Sequence, residues 1–359
     1  MIQLINMMAK LTKRQLNILE FIQEKESVGN QDIKDYLEKK SQEEISRITV
    51  VRDVNDLLKK GLIKKQGKGR NVYYQEAIRN KILKYIDADE YFKKGPDERD
   101  IAFIRFNFDI FQEFKEIFAK QELEELKELN KNYQKRIKKL STAILKKELE
   151  RLTIELSWKS SQMEGNTYSL IDTEILIKES KEAQGHKKEE AIMILNHKRA
   201  LDYILSKKSD FKKISLRKIE NIHNLIVDGL NVSKGIRKRV VGIVGTKYRP
   251  LDNEFQIKEA VEKSIKLVNK IKDPFSKAAV LILLISYIQP FEDGNKRTSR
   301  LIGNAIFLAN NVCPISYRSI DEADYKKAII IFYEQNNARF FKELFIKQFK
   351  FAVENYFLN

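Results

Sequence analysis

One apolar stretch, residues 278–288, leads directly into a loop whose composition leaves little conformational choice. Pro290 cannot continue a helix, so the stretch must end close to it. Asp293-Gly294-Asn295 follows, and this tripeptide favours a tight turn because glycine adopts positive φ without steric cost and asparagine tolerates it. The pattern predicts a buried helix, a rigid loop and a second helix that begins near Asn295.

The second helix of this pair has a cationic first turn. Its start leaves backbone N–H groups without partners, which favours a bound anion. Lys296, Arg297 and Arg300 follow, and the two arginines are three apart and so share one face. A guanidinium binds phosphate oxygens in a forked geometry, and Asp293 faces the same loop, where its carboxylate could hold a Mg²⁺ ion that bridges phosphates. The loop therefore predicts a site for a nucleoside di- or triphosphate with Mg²⁺.

The N-terminal part has a different pattern, with three short helices and a basic hairpin. LTKRQLNILEFIQ has apolar residues at helical spacing behind Thr12, a suitable N-cap. Two further helical segments follow, and Gly61 is expected to end the last one. LIKKQGKGRNVYY then gives two strand-like runs around a Gly-Lys-Gly turn. This order predicts a winged helix-turn-helix domain over residues 1–76.

The third helix and the hairpin carry the predicted DNA contacts. The run from Arg52 to Ile63 resembles the pattern R-D-L-x-x-L-x-x-x-G-L-I of the winged helix in DeoR-like bacterial regulators, which enters the major groove. The segment from Lys59 to Arg70 has six cations and no carboxylate, which favours contact with a phosphate backbone. The predicted DNA-binding residues are Arg47, Thr49, Arg52, Lys65, Lys68 and Arg70. Winged helices also serve as protein-interaction modules, and that alternative stays open.

Composition narrows the remaining choices. Lys and Arg number 68 against 51 Asp and Glu, and the resulting charge of +17 favours polyanionic partners, although a lysine-rich genome would give the same bulk excess. The single cysteine, Cys313, excludes an internal disulfide framework and a cysteine-based zinc cluster. No segment is apolar over enough residues to span a bilayer, and the N-terminus lacks a secretion pattern. These observations predict a cytoplasmic protein without membrane contact.

Residues 77–150 are predicted to form a helical linker or interdomain region. IAFIRFNFDIFQEFKEIF is rich in aromatic residues and is expected to pack between domains. The charged helix after it carries Leu126, Tyr133 and Leu140 at heptad spacing, which permits a coiled-coil homodimer, but a linker is the simpler interpretation. From residue 151 onward the pattern is helical, with one predicted β-hairpin in RVVGIVGTKYRPLD. The predicted fold class is mainly α.

The loop is similar to the signature of the Fic/Doc family. Residues 289–300, QPFEDGNKRTSR, match H-x-F-x-D/E-G-N-G/K-R-x-x-R at every defining position except the first, where Gln289 stands in place of histidine. HNLIVDGL at 223–230 and VGIVGTKYRP at 241–250 resemble two further stretches of the family, and the second corresponds to its flap, which holds a target peptide by strand pairing. SSQMEGN at 160–166 resembles the inhibitory motif S/T-x-x-x-E-G/N.

The resemblance implies an all-helical Fic domain over residues 151–359, with a small β-hairpin flap and an inhibitory helix near 155–166. It also implies transfer of AMP from ATP to a Ser, Thr or Tyr hydroxyl of a protein target. Residue by residue it implies nucleotide binding by Gly294, Asn295, Lys296, Arg297 and Arg300, Mg²⁺ binding by Asp293, target binding by the flap residues Ile243, Val244, Gly245 and Thr246, and inhibition by Ser160, Glu164 and Gly165. In the inhibited protein, Glu164 would pair with Arg300 where the γ-phosphate binds.

Gln289 stands at the position of the family's catalytic histidine, which removes a proton from the attacking hydroxyl. An amide cannot accept that proton, and loss of a general base costs about 10²–10⁴ in rate, or roughly 3–5 kcal/mol of barrier. Nor do His186, His197 or His223 offer an obvious replacement. Two explanations stay open. Either glutamine was introduced to inactivate a transferase, or it is native and the domain senses nucleotide within a DNA-binding regulator.

Overall fold

The computed structural model of the chain describes residues 11–25, 27–77, 80–114 and 116–358. The chain divides into two compact units, residues 1–93 and 94–359. Both are mainly helical, as predicted, and the described residues contain one two-stranded antiparallel sheet. None of the helices in these described ranges is long and apolar enough to cross a membrane.

The N-terminal unit has the predicted order of three helices and a hairpin. Its elements are α1 (Lys13–Lys25), α2 (Asn30–Ser41), α3 (Arg47–Lys59), β1 (Ile63–Gln66), β2 (Tyr73–Glu76) and a short α4 (Ala88–Tyr91). Thr12 caps α1 as predicted, because its Oγ1 accepts the Gln15 N–H at 3.2 Å. Gly61 has φ 64° just beyond the end of α3, so the chain turns there as the sequence indicated. Ile18, Val54 and other apolar residues of the three helices form one buried core.

The C-terminal unit consists of helices connected by short loops. These helices are α5 (Ile110–Glu113), α6 (Lys120–Ile137), α7 (Thr142–Gln162), α8 (Leu170–Glu179), α9 (Lys188–Ser206), α10 (Leu216–Ile226), α11 (Glu254–Lys270), α12 (Pro274–Ile288), α13 (Asn295–Ala309), α14 (Glu322–Gln335) and α15 (Arg339–Asn355). A 3₁₀ segment, Lys208–Lys212, lies between α9 and α10.

Helices α12 and α13 form the centre of this unit and fix the loop between them. Asp273 caps α12 by accepting the Ser276 N–H at 2.7 Å. Pro274 occupies the first turn, where the missing N–H of proline costs no intrahelical hydrogen bond. Gly303 of α13 allows a close approach, because a Cβ atom there would lie 2.6 Å from Cδ1 of Ile282. A tightly packed helix pair of this kind holds residues 289–294 in a defined position.

Of the region predicted as a linker, residues 94–150 belong to the C-terminal unit. Leu126 and Tyr133 of α6 are buried, and the Tyr133 ring packs edge-on against Phe357 with 5.3 Å between ring centroids. Two of the three residues of the predicted coiled-coil seam are therefore covered by the chain itself. In the aromatic segment, Phe106 stacks on Tyr287 of α12 at 4.6 Å.

The prediction of a β-hairpin around residues 241–250 is wrong. These residues, which we call the flap, turn at Val244 and Gly245, and their two limbs do not pair as strands. The second limb pairs elsewhere, because Arg249 forms an isolated parallel bridge with Arg105. Thr246 also has its partner outside the flap, because its hydroxyl donates to Glu334 Oε1 of α14 at 2.6 Å. These distant partners separate the two limbs.

Candidate functional site

The loop between α12 and α13 is pinned at its start by a buried arginine. Gln289 ends α12 in the left-handed conformation, with φ 51°, and its N–H donates to Ile285 O at 3.1 Å. Arg237 is 2% exposed; its backbone N–H donates to Pro290 O at 2.9 Å and its Nε donates to Gln289 O at 2.6 Å. The backbone at the start of the loop is therefore fixed from outside the helix pair.

Asn295 and Gly294 shape the turn itself. Asn295 Oδ1 accepts the Phe291 N–H at 2.9 Å, while Asn295 Nδ2 donates to Phe291 O at 2.8 Å. Gly294 has φ 77°, and a Cβ atom there would lie 3.2 Å from side-chain atoms of both Ile226 and Val227. The loop geometry therefore requires both Gly294 and Asn295. The first backbone N–H groups of α13 follow directly after this turn.

His223 supports the turn from α10 as a neutral residue. Its ring stacks on Phe291 with centroids 3.7 Å apart, and its Nε2 donates to Asp293 O at 3.1 Å. Burial lowers the pKa of His223 to about 4, so the ring is uncharged at neutral pH. This geometry agrees with a packing role for His223.

The two arginines predicted to bind phosphate are both buried, but their partners differ. Arg297 is 1% exposed and its Nη2 donates to Asp293 Oδ2 at 2.8 Å, while its Nε and Nη1 have no hydrogen-bond partner among the described residues. Arg300 is fully buried and donates through Nε to Ser160 Oγ at 2.9 Å. Its Nη2 donates to Ser160 O at 2.8 Å and to Glu164 Oε1 at 2.9 Å.

Glu164 lies just beyond the C-terminal end of α7, in a turn at residues 163–165, whereas the inhibitory helix was predicted to extend to about residue 166. Its Oε2 also accepts from Lys296 Nζ at 3.4 Å. Burial acts to raise the pKa of Glu164, but the charges of Arg300 and Lys296 outweigh it and hold that pKa below its ordinary value. Gly165 has φ 94°, which allows the chain to turn away after the carboxylate. An ionised Glu164 therefore occupies the outer side of the Arg300 guanidinium.

Ser160 links this contact to a histidine that the sequence did not single out. Its Oγ lies 2.8 Å from Nε2 of His197, and both residues are completely buried. Burial lowers the pKa of His197 well below its ordinary value, and the charge of Arg300 adds to the effect. His197 is thus a neutral support for Ser160.

A cavity of about 430 Å³ lies between the loop, the 163–165 turn, the flap and α14. Predicted site residues at its wall include Glu164, Asp293 and Asn295. No sequence pattern indicated the contribution of α14, because its residues follow an ordinary buried-helix pattern. The cavity residues of α14 are Tyr325, Lys326, Ile329, Ile330 and Tyr333.

Gln289 lies at the wall of this cavity with its amide group restrained. Its Nε2 donates to Ser286 O at 2.6 Å and to the Tyr333 hydroxyl at 3.2 Å, and the residue is 8% exposed. The described lining residues include no histidine. The amide of Gln289 itself cannot accept a proton at neutral pH.

The cavity contains a suitable carboxylate for a magnesium ion. The Asp293 side chain is 64% exposed, and one of its oxygens is engaged by Arg297. The described residues contain no cluster of three or more metal-ligating side chains. Mg²⁺ is commonly held by one or two protein carboxylates together with phosphate oxygens and water. The donor set therefore fits Mg²⁺ that arrives with a polyphosphate.

The predicted flap residues differ in exposure and contacts. Ile243 and Val244 line the cavity, and Val244 is 97% exposed. Gly245 has φ 85° and its carbonyl accepts from Arg99 Nη2 at 2.5 Å. Thr246 is tied to Glu334, so one end of the flap is fixed and its turn is open to solvent.

In the N-terminal unit, four of the six predicted DNA-binding residues are exposed to solvent, two on α3 and two on the hairpin. Arg47 and Arg52 are exposed, whereas Thr49 is half-buried with its Oγ1 2.9 Å from Ser46 Oγ. Lys65 and Lys68 of the hairpin are exposed. The side chain of Arg70 lies outside the described residues.

Fold and site together define a protein in which a winged helix precedes a helical domain with a buried pair of arginines on the helix that follows its central loop. Residues 213–307 match the Fic/DOC family, and residues 11–102 match the family described as penicillinase repressor. The chain therefore contains a Fic/DOC family domain and an N-terminal winged helix of the repressor type.

Curated relatives match the C-terminal part at modest identity. The protein adenylyltransferase Fic of Nematostella vectensis is 27% identical over 187 residues, covering 50% of this chain and 43% of that protein. The protein adenylyltransferase fic-1 of Caenorhabditis elegans is 26% identical over 170 residues, covering 45% of this chain and 33% of that protein. The chain thus spans less than half the length of these two relatives.

Solved structures show the same fold. Fic-1 of C. elegans superposes with a TM-score of 0.55 at 19% identity, covering 65% of this chain and 69% of that one. A Fic domain-containing signalling protein from Bacteroides thetaiotaomicron gives a TM-score of 0.53 at 19% identity, covering 65% and 92%.

Proposed function

We propose that the C-terminal unit is a Fic-type adenylyltransferase that moves AMP from ATP to a hydroxyl of a protein target. In this proposal Glu164 inhibits the enzyme and Gln289 impairs it. The observation that carries the proposal is the pair of buried guanidinium groups beside the 289–295 loop. Two nitrogens of Arg297 have no hydrogen-bond partner among the described residues, and Arg300 is engaged by a carboxylate. Buried donors of this kind are satisfied by a phosphate group. The adenylyltransferase names of the curated relatives agree with this activity.

The work of binding and transfer is divided between the residues that line the cavity and the two buried arginines, which lie behind its wall and are not among its lining residues. Arg297 and the N-terminal N–H groups of α13 bind the β-phosphate, and Asp293 holds Mg²⁺, which neutralises phosphate charge. Arg300 binds the γ-phosphate once Glu164 leaves. The hydroxyl oxygen of the target bonds to the α-phosphorus, pyrophosphate departs, and the hydroxyl proton passes to a base. With Gln289 in place that base is missing, so transfer is slow while ATP binding persists.

The inhibition follows from competition for one guanidinium. Arg300 donates to Ser160 and Glu164, and a carboxylate there takes the forked donor that a γ-phosphate needs. It also places a negative charge where the phosphate would lie. Removal of Glu164 therefore frees Arg300 and lets the triphosphate extend into its transfer-competent position.

The test restores the base and removes the inhibitor together. The Gln289→His, Glu164→Gly double variant incubated with α-labelled ATP and Mg²⁺ should label itself or a partner protein, about 10²–10⁴-fold faster than the Glu164→Gly single variant. A histidine whose Nδ1–H replaces the bond to Ser286 O keeps Nε2 free to accept the proton. The triple variant that adds Arg297→Ala is the matched control and should lose the label. Unlabelled protein despite intact ATP binding would overturn the proposal.

A second function is favoured by the N-terminal unit, namely DNA binding. The penicillinase-repressor match and the exposed Arg47 and Arg52 on α3 support it. The chain should bind duplex DNA with an affinity that falls steeply as salt rises. Lys65→Ala, Lys68→Ala should reduce the slope of log K against log salt by about 2, because each lysine neutralises one phosphate. A slope unchanged by this double variant would count against a wing on the DNA backbone.

A further inference from the structure

The chain around the flap is strongly cationic. Residues 234–249 contain six lysines and arginines and no carboxylate. One of them, Arg237, is buried under the loop. The other five, Lys234, Lys238, Arg239, Lys247 and Arg249, are exposed. Three of these five are paired with carboxylates, namely Lys234 with Asp228, Lys238 with Glu254 and Lys247 with Asp97, so the exposed cations of this stretch without an ion-pair partner among the described residues are Arg239 and Arg249.

Two arginines stand side by side at the fixed end of the flap. Arg249 and Arg105 are partners in a parallel bridge, with the Arg249 N–H donating to Ile104 O at 2.7 Å. Residues paired in this way project to the same face, and like charges placed opposite each other are unfavourable. Both side chains are exposed, and neither forms an ion pair with any described residue. An anion placed between them would relieve the repulsion.

This arginine pair rests on a rigid support. Arg99 forms a buried ion pair with Glu334 at 2.8 Å, with side-chain exposures of 3% and 0%. The Phe103 N–H donates to the backbone oxygen of Glu334 at 2.9 Å. Because Glu334 also holds Thr246, the segment that carries Arg105 and the flap that leads to Arg249 share one anchor.

The other limb of the flap offers an open backbone edge. Residues 241–244 make no backbone hydrogen bonds within the described parts of the chain. Val240 and Val244 are 75% and 97% exposed, so apolar side chains flank this edge. An extended peptide can satisfy such an edge by strand addition and can cover the valines. Nucleic acid has no backbone that forms this ladder, so a peptide is the favoured occupant.

From this geometry we propose that the flap selects an extended target segment that carries carboxylates close to the modified hydroxyl, and that Arg105 and Arg249 bind those carboxylates. This inference rests on the proposed transfer to a protein and specifies the class of target. Peptide backbone pairs with residues 241–244, and the acidic side chains lie along the arginine pair. Arg105 and Arg249 are specificity-determining residues in this arrangement and do not touch the reacting atoms.

The experiment measures peptide binding directly, so that it does not depend on AMP transfer. Three fluorescent peptides with one central serine and acidic, neutral or basic flanks are titrated with the full chain in ATP and Mg²⁺, and anisotropy is recorded at low and high salt. The acidic peptide should bind about tenfold tighter than the neutral one at low salt, and the basic peptide should bind weakest. High salt should reduce the difference.

Charge variants locate the binding. Arg105→Glu, Arg249→Glu should abolish the preference for the acidic peptide, and the milder Arg105→Gln, Arg249→Gln should reduce it. The matched control is Lys65→Glu, Lys68→Glu on the winged helix, which removes equal charge elsewhere and should keep the preference. Loss of the preference in that control, or equal affinity for the acidic and neutral peptides, overturns the inference.

Three further outcomes distinguish the inference from the proposed function on which it rests. If a random-sequence DNA duplex displaces the acidic peptide and its own binding depends on Arg105 and Arg249, the surface binds nucleic acid and the inference is overturned. If the Gln289→His, Glu164→Gly variant transfers AMP to acidic and neutral peptides alike, the proposed function stands and the acidic preference is overturned. If ATP does not bind even without Glu164, the proposed function itself fails.

Discussion

Two buried arginines on one face of α13 show how a single residue decides the state of this site. Arg300 donates through Nε and Nη2 to Ser160 and Glu164 and keeps only Nη1 without a partner among the described residues, whereas Arg297 keeps both Nε and Nη1. The turn therefore competes with a ligand for only one of the two guanidinium groups. Under the proposed function, ATP can enter while Glu164 is in place, but its terminal phosphate is denied Arg300.

His223 gives the same site a measurable dependence on pH. Its pKa is about 4 in the folded protein against 6.5 when unperturbed, because burial disfavours the charged ring. The unfolded chain thus takes up the proton first as pH falls. The contribution of His223 to the free energy of unfolding is fully present above pH 6.5 and falls by about 3 kcal/mol as the pH drops from 6.5 to 4.

The test compares the wild type with His223→Gln, which can still donate to Asp293 O. Urea denaturation at several pH values between 7.5 and 4 should show a shallower loss of unfolding free energy in the variant. His197 is present in both proteins, so its own titration cancels in the difference. Parallel curves for the two proteins would show that His223 is not neutralised by burial.

At the scale of elements, the flap depends on α14 for its position. Arg99, Gly245 and Thr246 all connect to this helix through Glu334 or through the Arg99 guanidinium. Tyr333, the residue before it, faces Gln289. One turn of α14 therefore sets both the wall of the cavity and the fixed end of the flap.

Breaking the Arg99–Glu334 ion pair should lower the free energy of unfolding more when one charge is removed than when both are. Glu334→Leu removes the carboxylate that forms the buried ion pair with Arg99 and should destabilise the protein by about 3–5 kcal/mol. Arg99→Met, Glu334→Leu removes both charges and should be less destabilised than Glu334→Leu alone. Chemical denaturation of the two single variants and the double variant measures the coupling. Additive losses would mean that the ion pair does not hold the segments together.

The same elements show what sequence could and could not predict. The turn at 293–295 and the cap at Thr12 were predictable because proline, glycine and capping hydroxyls act on their immediate neighbours. The flap hairpin was wrong because its pairing partner is Arg105, which no local pattern indicates. The Arg99–Glu334 pair joins residues 235 positions apart and was missed entirely. Tyr333 looked like any buried helical residue.

At the scale of the molecule, the chain joins a winged helix of the repressor type to a Fic/DOC family domain. The winged helix presents Arg47, Arg52 and the hairpin lysines, and the C-terminal unit has its own cationic loop and flap. Both units thus contribute to the charge of +17, each at the face proposed to bind an anion. If the two activities are coupled, thermodynamic linkage requires the coupling to be equal in both directions.

This reciprocity gives the last prediction. We expect ATP with Mg²⁺ to change the affinity of the chain for a random-sequence duplex, and the duplex to change the affinity for ATP by the same factor, about 5–150-fold for typical coupling energies. Anisotropy of labelled DNA and calorimetry of ATP measure the two factors independently. Arg297→Ala should weaken ATP binding and remove the effect of ATP on DNA at the same nucleotide concentration. If saturating ATP leaves DNA affinity unchanged, the two units act independently and the nucleotide does not regulate DNA binding.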